Sequence, residues 1–490
     1  MRFSYKKASC SAVGRSIVQL KSLIGFAVGP IGSALIGLIT VPVVAWSFTP
    51  ADVGRLNVFQ LAISFALLFS VLGLDQAYVR EYHEVEGRPR LLLSCFLPGF
   101  LFLTAGVIGA SFFSEKFAFV LYGIADDRMA WLTLFAFLVA YVSRFLSLIL
   151  RMQERGWAYS ASQVIPKLLS LALILCVSVF SLRADFHTLQ SIVIAGLLAV
   201  LLVYGWNTRN EWRSALRQRV DAQELRKLLL FGLPLVLSGL AYWGLTATST
   251  VALRHLSSLE ELAIYSVTAS FAGAAIIFQS IFATVWAPTV YKWVTQGVDM
   301  RKVDDVARHA LVVVCLIMVA VGGFSWLADF LLPQHYRSVK YLLACAVAPS
   351  LLYTLSEVTT VGIGISRRTG WTVWITLVAL LANLLLSWWL VPELGAAGAV
   401  LANGVSFFLF FVLRTEVSAA LWRQFPRMKL YGMLGALLSV ALAVAAVGPE
   451  LPLLYPIIWI VVLLFVVTML RHETKELFVL MRHHSLGVSK

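Results

Sequence analysis

One arginine, Arg144, lies inside a long apolar run of the sequence, YVSRFLSLILRM. A charged side chain within a membrane span is costly unless it faces a cavity, water or a partner, so Arg144 is a candidate for an intramembrane binding site. Tyr141 and Ser147 lie three residues before and after it and share its helix face. The alternative is that Arg144, about two helical turns from Arg151, extends its charged end to the membrane surface.

Glu357, in LYTLSEVTTVGIGISRR, is the acidic residue deepest in the apolar runs of the second half. Two roles stay open for it. It forms a structural ion pair with a buried arginine, or it titrates as part of proton or sodium coupling. Hydroxyl residues on both sides make this helix unusually polar, which favours a wall facing a cavity; these are Thr354, Ser356, Thr359 and Thr360.

The stretch VLGLDQAYVREYHEVEGRPR, residues 71–90, changes within a few residues from apolar to densely charged. Most of its charges fit a short solvated loop, but Asp75 precedes Arg80 by more than one helical turn. We predict that Asp75 and Gln76 cap or gate the end of this span, with Arg80 and Arg144 as the candidate partners of the Asp75 carboxylate.

The elements that hold these residues are predicted to be membrane helices. The 490 residues are 60% hydrophobic and only 13% charged, a composition typical of integral membrane proteins. Uncharged runs long enough to cross a bilayer core of roughly 30 Å recur along the chain. The five cysteines are scattered without a CxxC motif, so neither a disulfide framework nor a zinc site is predicted.

The distribution of basic residues tests the number of spans. With fourteen helices and both termini cytoplasmic, 31 of the 39 Lys and Arg fall in cytoplasmic segments and 7 in outer loops, with Arg144 left inside a span. The net charge of +14 therefore marks topology and contact with anionic lipids, and no nucleic-acid partner is expected. The predicted helices centre near 22–48, 56–78, 91–113, 130–150, 163–180, 188–206, 228–253, 262–290, 309–332, 341–365, 371–390, 396–413, 430–447 and 454–470.

An internal repeat relates the two halves of the chain. WSFTPADVGRLNVFQLA (46–62) aligns with RHLSSLEELAIYSVTASF (254–271) when Asp52 is set against Glu261. The two segments are six predicted helices apart, and an even number gives halves of parallel topology. The repeat predicts two six-helix lobes around a central cavity, the plan of an alternating-access transporter, with two additional C-terminal helices.

Domain boundaries follow from these spans and from the charged segments between them. The predicted segments are a cytoplasmic N-terminal segment (1–21), the first lobe (22–206), a basic linker (207–227), the second lobe (228–413), two additional helices (430–470) and a cytoplasmic tail (471–490).

The segments VPVVAWSFTPADVGRLNVFQLAISFALLFSVLGLDQAYVRE, FGLPLVLSGLAYW and NLLLSWWLVPELGAAGAVLANGVSFF resemble bacterial polysaccharide (O-antigen type) flippases. This is the oligosaccharide flippase and polysaccharide transporter branch of the multidrug/oligosaccharidyl-lipid/polysaccharide (MOP) exporter superfamily, and the resemblance implies a MATE-like all-α fold. The sequence departs from many relatives late in the seventh helix, where Ser249 and Thr250 stand in place of an Asp-Arg pair and Arg254 lies one turn further on.

The resemblance implies a flippase that moves an undecaprenyl-diphosphate-linked oligosaccharide across the bacterial inner membrane for O-antigen, capsule or exopolysaccharide synthesis. It implies membrane lipids, a polysaccharide polymerase and chain-length proteins as partners, and no cofactor, with proton or sodium coupling left open. The diphosphate of such a substrate needs cations, and Arg144 is the best single candidate.

Two further cavity candidates lie in the seventh predicted span. Arg254 ends this span with His255, where a charge of an interfacial loop is the alternative to a cavity role. Trp243 lies deeper, where stacking on a sugar ring competes with packing against lipid or protein.

Other function classes fit the sequence less well. A cation-coupled multidrug exporter of the same superfamily is the nearest alternative. A membrane polymerase or ligase is disfavoured because the outer loops are short and no nucleophile, metal or DxD-type constellation appears, so the chain is expected not to be an enzyme. An ATP-driven pump is disfavoured because no GxxxxGK[ST] loop is present.

Overall fold

The computed structural model describes residues 29–153, 155–180, 183–368 and 370–474. Over these ranges the chain is helical and contains no strand, which confirms the predicted all-α class. The chain divides into two compact units, Met1–Leu240 and Ala241–Lys490. The predicted segment 1–21 and most of the predicted tail lie outside the described residues, and the predicted domain boundaries stay a prediction.

The first unit is built from helices of very different length. They are α1 (Gly29–Ser47), α2 (Pro50–Ser70), α3 (Leu74–Glu81), α4 (Arg88–Ser111), α5 (Ser114–Tyr122), α6 (Asp127–Met152), α7 (Gly156–Val179), α8 (Phe186–Asn207), α9 (Arg209–Ala215) and the beginning of α10 (Ala222–Leu256).

The second unit contains the end of α10 and the remaining helices. They are α11 (Leu259–Ala272), α12 (Ala274–Thr295), α13 (Arg301–Phe324), α14 (Ala328–Leu331), α15 (Val339–Thr359), α16 (Val361–Ile365), α17 (Gly370–Leu421), α18 (Met428–Val447) and α19 (Tyr455–Met469), with single 3-10 turns at Ser325–Leu327, Gln334–Tyr336 and Gly448–Glu450.

The helices are those of a multi-pass membrane protein. By length and composition, 12 of the helices in the described ranges can cross a membrane. The 52-residue α17 holds two of the predicted spans, and the shorter apolar α19 holds another. Every one of the fourteen predicted apolar runs therefore falls on helical structure within the described residues.

The second predicted span, 56–78, is divided into two helices. After α2 ends at Ser70, Leu72 and Gly73 adopt left-handed backbone angles, with φ of 54° and 69°. An L-residue is disfavoured in this region, so the break requires support from the surrounding structure. The chain then begins α3 at Leu74, which places Asp75 in the first turn of a new helix.

Glycines support this break by close backbone contact. A Cβ atom on Gly73 would lie 2.2 Å from the carbonyl oxygen of Gly232 in α10, and a Cβ atom on Gly232 would lie 2.6 Å from the carbonyl oxygen of Leu72. Only glycine permits two backbones to approach this closely. The break that positions Asp75 is therefore fixed by a residue more than 150 positions further along the chain.

The predicted repeat appears as one capping arrangement in both units. Thr49 caps α2 and accepts a hydrogen bond from the N–H of Asp52, while Ser258 caps α11 and accepts one from the N–H of Glu261. An oxygen-bearing cap followed three residues later by an acidic residue stabilises a helix start. The residues aligned from the sequence therefore occupy equivalent positions, the third residue of each helix.

The acidic residues of the two caps have different further partners. Asp52 binds Arg55, with 2.9 Å between Oδ1 and Nη1. Glu261 Oε2 instead accepts a 2.7 Å hydrogen bond from the N–H of Ala396. That contact lies at Gly395, where α17 bends because this glycine has φ of 54° and ψ of −126°.

Candidate functional site

Asp75 and Arg144 form an ion pair within the first unit. Arg144 Nη2, from α6, lies 2.7 Å from Asp75 Oδ2 at the start of α3. Of the two candidate partners of Asp75, the structure thus brings Arg144 to it. The left-handed break before α3 and the long, well-buried α6 together set this geometry.

The two members of this pair differ in exposure. The Asp75 side chain is 10% exposed and the Arg144 side chain is 40% exposed. The N–H of Gln76 donates a 2.8 Å hydrogen bond to Asp75 Oδ1, which fixes the carboxylate. A guanidinium carries five N–H donors, so the exposed side of Arg144 can bind a second anionic group without a change in its backbone.

The neighbours of Arg144 on α6 are placed in the protein interior. Tyr141 is fully buried and its hydroxyl donates a 2.8 Å hydrogen bond to the carbonyl oxygen of Phe96. Ser147 is buried and donates a 2.6 Å hydrogen bond to the carbonyl oxygen of Arg144 itself. These contacts position α6 and leave the substrate-binding roles of both residues as predictions.

Arg80 lies at the other end of α3, apart from the Asp75 carboxylate. Its side chain is 55% exposed, contacts Glu81 at 3.6 Å and stacks over the Phe231 ring at 4.5 Å. Phe231 directly precedes Gly232, the residue packed against the break. Arg80 thus contacts the same part of α10 as the break, and its gating role stays a prediction.

Glu357 pairs with an arginine that the sequence did not single out. Arg414 Nη1, from α17, lies 2.8 Å from Glu357 Oε1 and 2.7 Å from Ser356 Oγ. The Arg414 guanidinium also lies 5.2 Å from the ring of Tyr353 and 5.1 Å from that of Phe410. Its side chain is only 8% exposed.

Arg414 was missed because it follows directly on a predicted span that ended at residue 413. A basic residue directly after an apolar run is predicted to lie in a loop. The helix continues to Leu421, and Thr415, Ser418 and Ala419 are buried within it. Small residues continuing at helical spacing beyond the arginine are the sequence signal for a longer helix.

The second unit contains a pocket of about 210 Å³ with a mixed polar and aromatic lining. Tyr242 and Tyr265 supply phenol groups, and Gln279, Ser350 and Asn403 supply amides and a hydroxyl. Aromatic faces with convergent donors and acceptors suit a small polar ligand such as one sugar ring.

Trp243 and Arg254 lie on α10, the helix that contributes Tyr242 and Thr246 to this pocket, but neither residue lines the pocket. Trp243 is partly buried, and its carbonyl oxygen accepts a 2.9 Å hydrogen bond from Thr246 Oγ1. Arg254 is partly buried in the last turn of α10. The substrate-binding roles of both residues stay predictions.

The two hydroxyl residues that replace the Asp-Arg pair of many relatives are buried. Ser249 is fully buried and donates a 3.3 Å hydrogen bond to the carbonyl oxygen of Ala399, and Thr250 is 5% exposed. At this position α10 therefore contacts α17 through a hydrogen bond between uncharged groups.

Comparison with protein families gives a match over more than half of the chain. The model of the family described as Polysaccharide biosynthesis protein (Polysacc_synt) matches residues 20–294. The matched range contains both members of the Asp75–Arg144 pair and neither member of the Glu357–Arg414 pair. No curated protein sequence gives a significant match.

Solved structures of MOP-superfamily transporters share the fold. The inward closed conformation of the lipid II flippase MurJ has a TM-score of 0.65 and 13% identity, covering 93% of this chain and 100% of that one. An inward-facing multidrug resistance MATE family transporter of the MOP superfamily has a TM-score of 0.59 and 15% identity, covering 79% of this chain and 95% of that one. At these identities the likeness shows the fold alone, and it confirms the MATE-like architecture.

Proposed function

We propose that this chain, which belongs to the polysaccharide biosynthesis protein family, translocates an undecaprenyl-diphosphate-linked oligosaccharide unit across the bacterial inner membrane. The fold, shared with a lipid II flippase and with a multidrug transporter, supports movement of substrate by alternating access rather than enzymatic turnover. The unit carried would serve the synthesis of O-antigen, capsule or exopolysaccharide.

The observation that carries the proposal is the Arg144 side chain, which is 40% exposed while it is paired with Asp75. A diphosphate offers several anionic oxygens, and an arginine binds such groups with short charge-assisted hydrogen bonds. Asp75 holds Arg144 in place when no substrate is bound and compensates its charge within the apolar unit. In our account the diphosphate contacts the exposed side of Arg144 and competes with Asp75 for its donors.

This competition also indicates where transport is coupled to an ion. When Arg144 turns towards the diphosphate, the carboxylate of Asp75 loses its cationic partner, and we propose that a coupling cation, a proton or a sodium ion, then takes the place of Arg144. Glu357 is less suited to that role because its partner Arg414 is also held in place by Ser356 and by two aromatic rings. We therefore assign coupling to Asp75 and a structural role to Glu357.

The pocket of the second unit supports a sugar-carrying substrate. Its tyrosines, amides and hydroxyl can pack on and hydrogen-bond one hexose, and its volume of about 210 Å³ matches one ring better than a chain. The pocket thus supports the proposal of a lipid-linked oligosaccharide as the substrate. In this proposal membrane lipids surround the protein, and a polymerase and chain-length proteins would act on the product.

A cation-coupled multidrug exporter is the alternative with the same fold. A cationic drug requires an unpaired carboxylate or an aromatic cage in the cavity. Asp75 and Glu357 are each compensated by an arginine, an arrangement that favours an anionic substrate over a cationic one.

The test is export in a strain whose flippase gene is deleted. We expect the chain to restore surface polysaccharide and to prevent accumulation of lipid-linked units on the cytoplasmic leaflet. If the chain raises the drug resistance of this strain but does not restore the glycan, the proposal is rejected in favour of drug export. Cysteine labelling at the Arg80–Arg90 loop from the cytoplasmic side would test the orientation that the basic residues predict.

A further inference from the structure

The first unit contains an apolar groove that the proposed transport cycle does not use. Its volume is about 530 Å³, within the range of small-molecule sites. The walls come from α4, α6, α8 and α9 and are almost entirely apolar. Among the lining residues are Leu92, Phe96, Phe145, Leu201 and Leu202.

Two arginines and two tryptophans stand at one end of this groove. Arg209 and Arg213 are four residues apart on α9 and therefore share one helix face. The guanidinium of Arg209 lies 4.7 Å from the Trp206 ring, and that of Arg213 lies 5.5 Å from the Trp212 ring. All four residues line the groove, and both arginines are exposed.

Hydrogen bonds hold this end of the groove in place. Trp212 Nε1 donates a 3.0 Å hydrogen bond to the carbonyl oxygen of Gly205. Glu211, the acidic residue between the two arginines, accepts a 2.7 Å hydrogen bond from Gln153 Nε2. Because Gln153 directly follows α6, this hydrogen bond joins α9 to the end of α6.

We propose that this groove is a binding site for one anionic phospholipid. The acyl chains lie in the apolar groove, and the headgroup phosphate binds Arg209 and Arg213. Tryptophans typically lie at the level of lipid headgroups, and basic side chains at a membrane surface bind anionic headgroups. The groove combines an apolar surface for the acyl chains with two arginines for the phosphate. A bare apolar helix face would accept any lipid.

The lipid is assigned a structural effect on α9. The bound phosphate carries a single negative charge, which offsets part of the positive charge of Arg209 and Arg213 in the basic segment 209–227, and it joins α9 to the helices that form the groove. This inference does not rest on the proposed substrate, because it requires only that the chain lies in a membrane.

The test uses the purified full chain in detergent, titrated with phosphatidylglycerol or phosphatidylcholine and analysed by native mass spectrometry. We expect one phosphatidylglycerol to remain bound under conditions that remove phosphatidylcholine. The double variant Arg209→Gln/Arg213→Gln should lose this preference at least tenfold. The matched control Arg217→Gln/Arg219→Gln removes the same charge from the same exposed segment but not from the groove, and it should keep the preference.

A second variant tests the groove itself. A Cβ atom on Gly205 would meet nothing within 4 Å, so Gly205→Leu can begin its side chain without a clash, places the rest of it in the groove and keeps both arginines. We expect it to weaken phosphatidylglycerol binding at least fivefold. The assignment would be overturned by equal loss in both arginine double variants or by unchanged binding in Gly205→Leu. Displacement of phosphatidylglycerol by an equimolar polyprenyl phosphate would also overturn it, in favour of a site for the substrate's tail.

Discussion

The two units each contain an intramembrane ion pair, but the two pairs are built differently. In the first unit, Arg144 is 40% exposed and contacts Asp75 at the start of a short helix behind a backbone break. In the second unit, Arg414 is 8% exposed and contacts Glu357 from a position about two turns before the end of the long helix α17. Arg414 also binds a serine and lies against two aromatic rings.

This difference separates a pair that can exchange partners from one that cannot. Removing Arg414 from its site would cost several contacts at once and would leave the carboxylate of Glu357, which is only 18% exposed, without its partner. Arg144 can bind a new anion through its N–H donors and loses only its hydrogen bond to Asp75 when it does so. A charge pair in a membrane protein therefore indicates function only when one partner is accessible.

The largest predicted effect concerns stability of the second unit. Arg414→Ala should lower the free energy of unfolding by about 3–5 kcal/mol, because it leaves Glu357 unpaired. Arg144→Ala also leaves a carboxylate unpaired, that of the 10% exposed Asp75, but it should lower the free energy of unfolding less, by about 1–3 kcal/mol, because Arg144 itself is 40% exposed and makes fewer contacts than Arg414. Denaturant unfolding of the purified variants measures both.

The control is the double variant Arg414→Met/Glu357→Leu, in which neither charge is left alone. It should recover most of the stability lost in Arg414→Ala. Equal destabilisation by Arg144→Ala and Arg414→Ala would remove the distinction between the two pairs.

The sequence predicted the helices well because a bilayer imposes long apolar runs on any chain that crosses it. It also named Arg144 as a possible partner of Asp75. It did not predict the break at Leu72, since that left-handed residue is stabilised by Gly232 far along the chain. It missed Arg414 because a charge at the end of an apolar run looks the same whether the helix stops or continues.

The second prediction concerns the left-handed backbone break at Leu72 and Gly73, which directly precedes α3 and Asp75. Gly73→Ala should destabilise the protein by about 2–3 kcal/mol, because the new Cβ atom meets the Gly232 backbone and the left-handed conformation disfavours alanine. Gly106→Ala is the matched control in α4, where a Cβ atom meets nothing within 4 Å. The thermal midpoint of each variant in detergent is the measurement; an equal midpoint in both would show that the break does not depend on close packing.

The third prediction compares the two acidic cap residues. Glu261→Ala leaves the N–H of the buried Ala396 without its acceptor, so we expect a loss of about 1–3 kcal/mol. Asp52→Ala should cost less, because Thr49 still caps α2 and Arg55 retains a 3.4 Å contact to the Tyr122 carbonyl oxygen. Chemical denaturation of both variants decides the order, and a larger loss in Asp52→Ala would be inconsistent with the role of Glu261 at the α17 bend.

The smallest effect is expected for an exposed pair outside the spans. Arg90 Nη2 lies 2.6 Å from Asp221 Oδ2, and both side chains are more than 40% exposed. The backbone N–H of Gln223, together with Arg90, holds the pKa of the Asp221 carboxyl below its usual value of 3.8. A lowered carboxyl pKa contributes stability that is present above pH 3.8 and is lost as the pH falls through the folded-state pKa.

Arg90→Gln should therefore change the thermal midpoint less than Arg414→Ala, Gly73→Ala or Glu261→Ala, and by the same amount at pH 6 and pH 8. A change comparable with that of Arg414→Ala would show that exposure does not govern the strength of ion pairs in this protein.

The central claim is that the accessible Arg144 binds the diphosphate of the substrate. Transport in proteoliposomes tests this claim most directly. Purified protein is reconstituted with a polyprenyl-diphosphate-linked oligosaccharide, and the appearance of the glycan on the opposite leaflet is followed with an impermeant lectin or glycosidase. At matched amounts of folded protein, we predict that Arg144→Ala slows translocation at least tenfold and that Arg144→Lys, which keeps the charge without the planar fork, retains partial activity. Translocation by Arg144→Ala at the wild-type rate would contradict the claim that Arg144 binds the diphosphate.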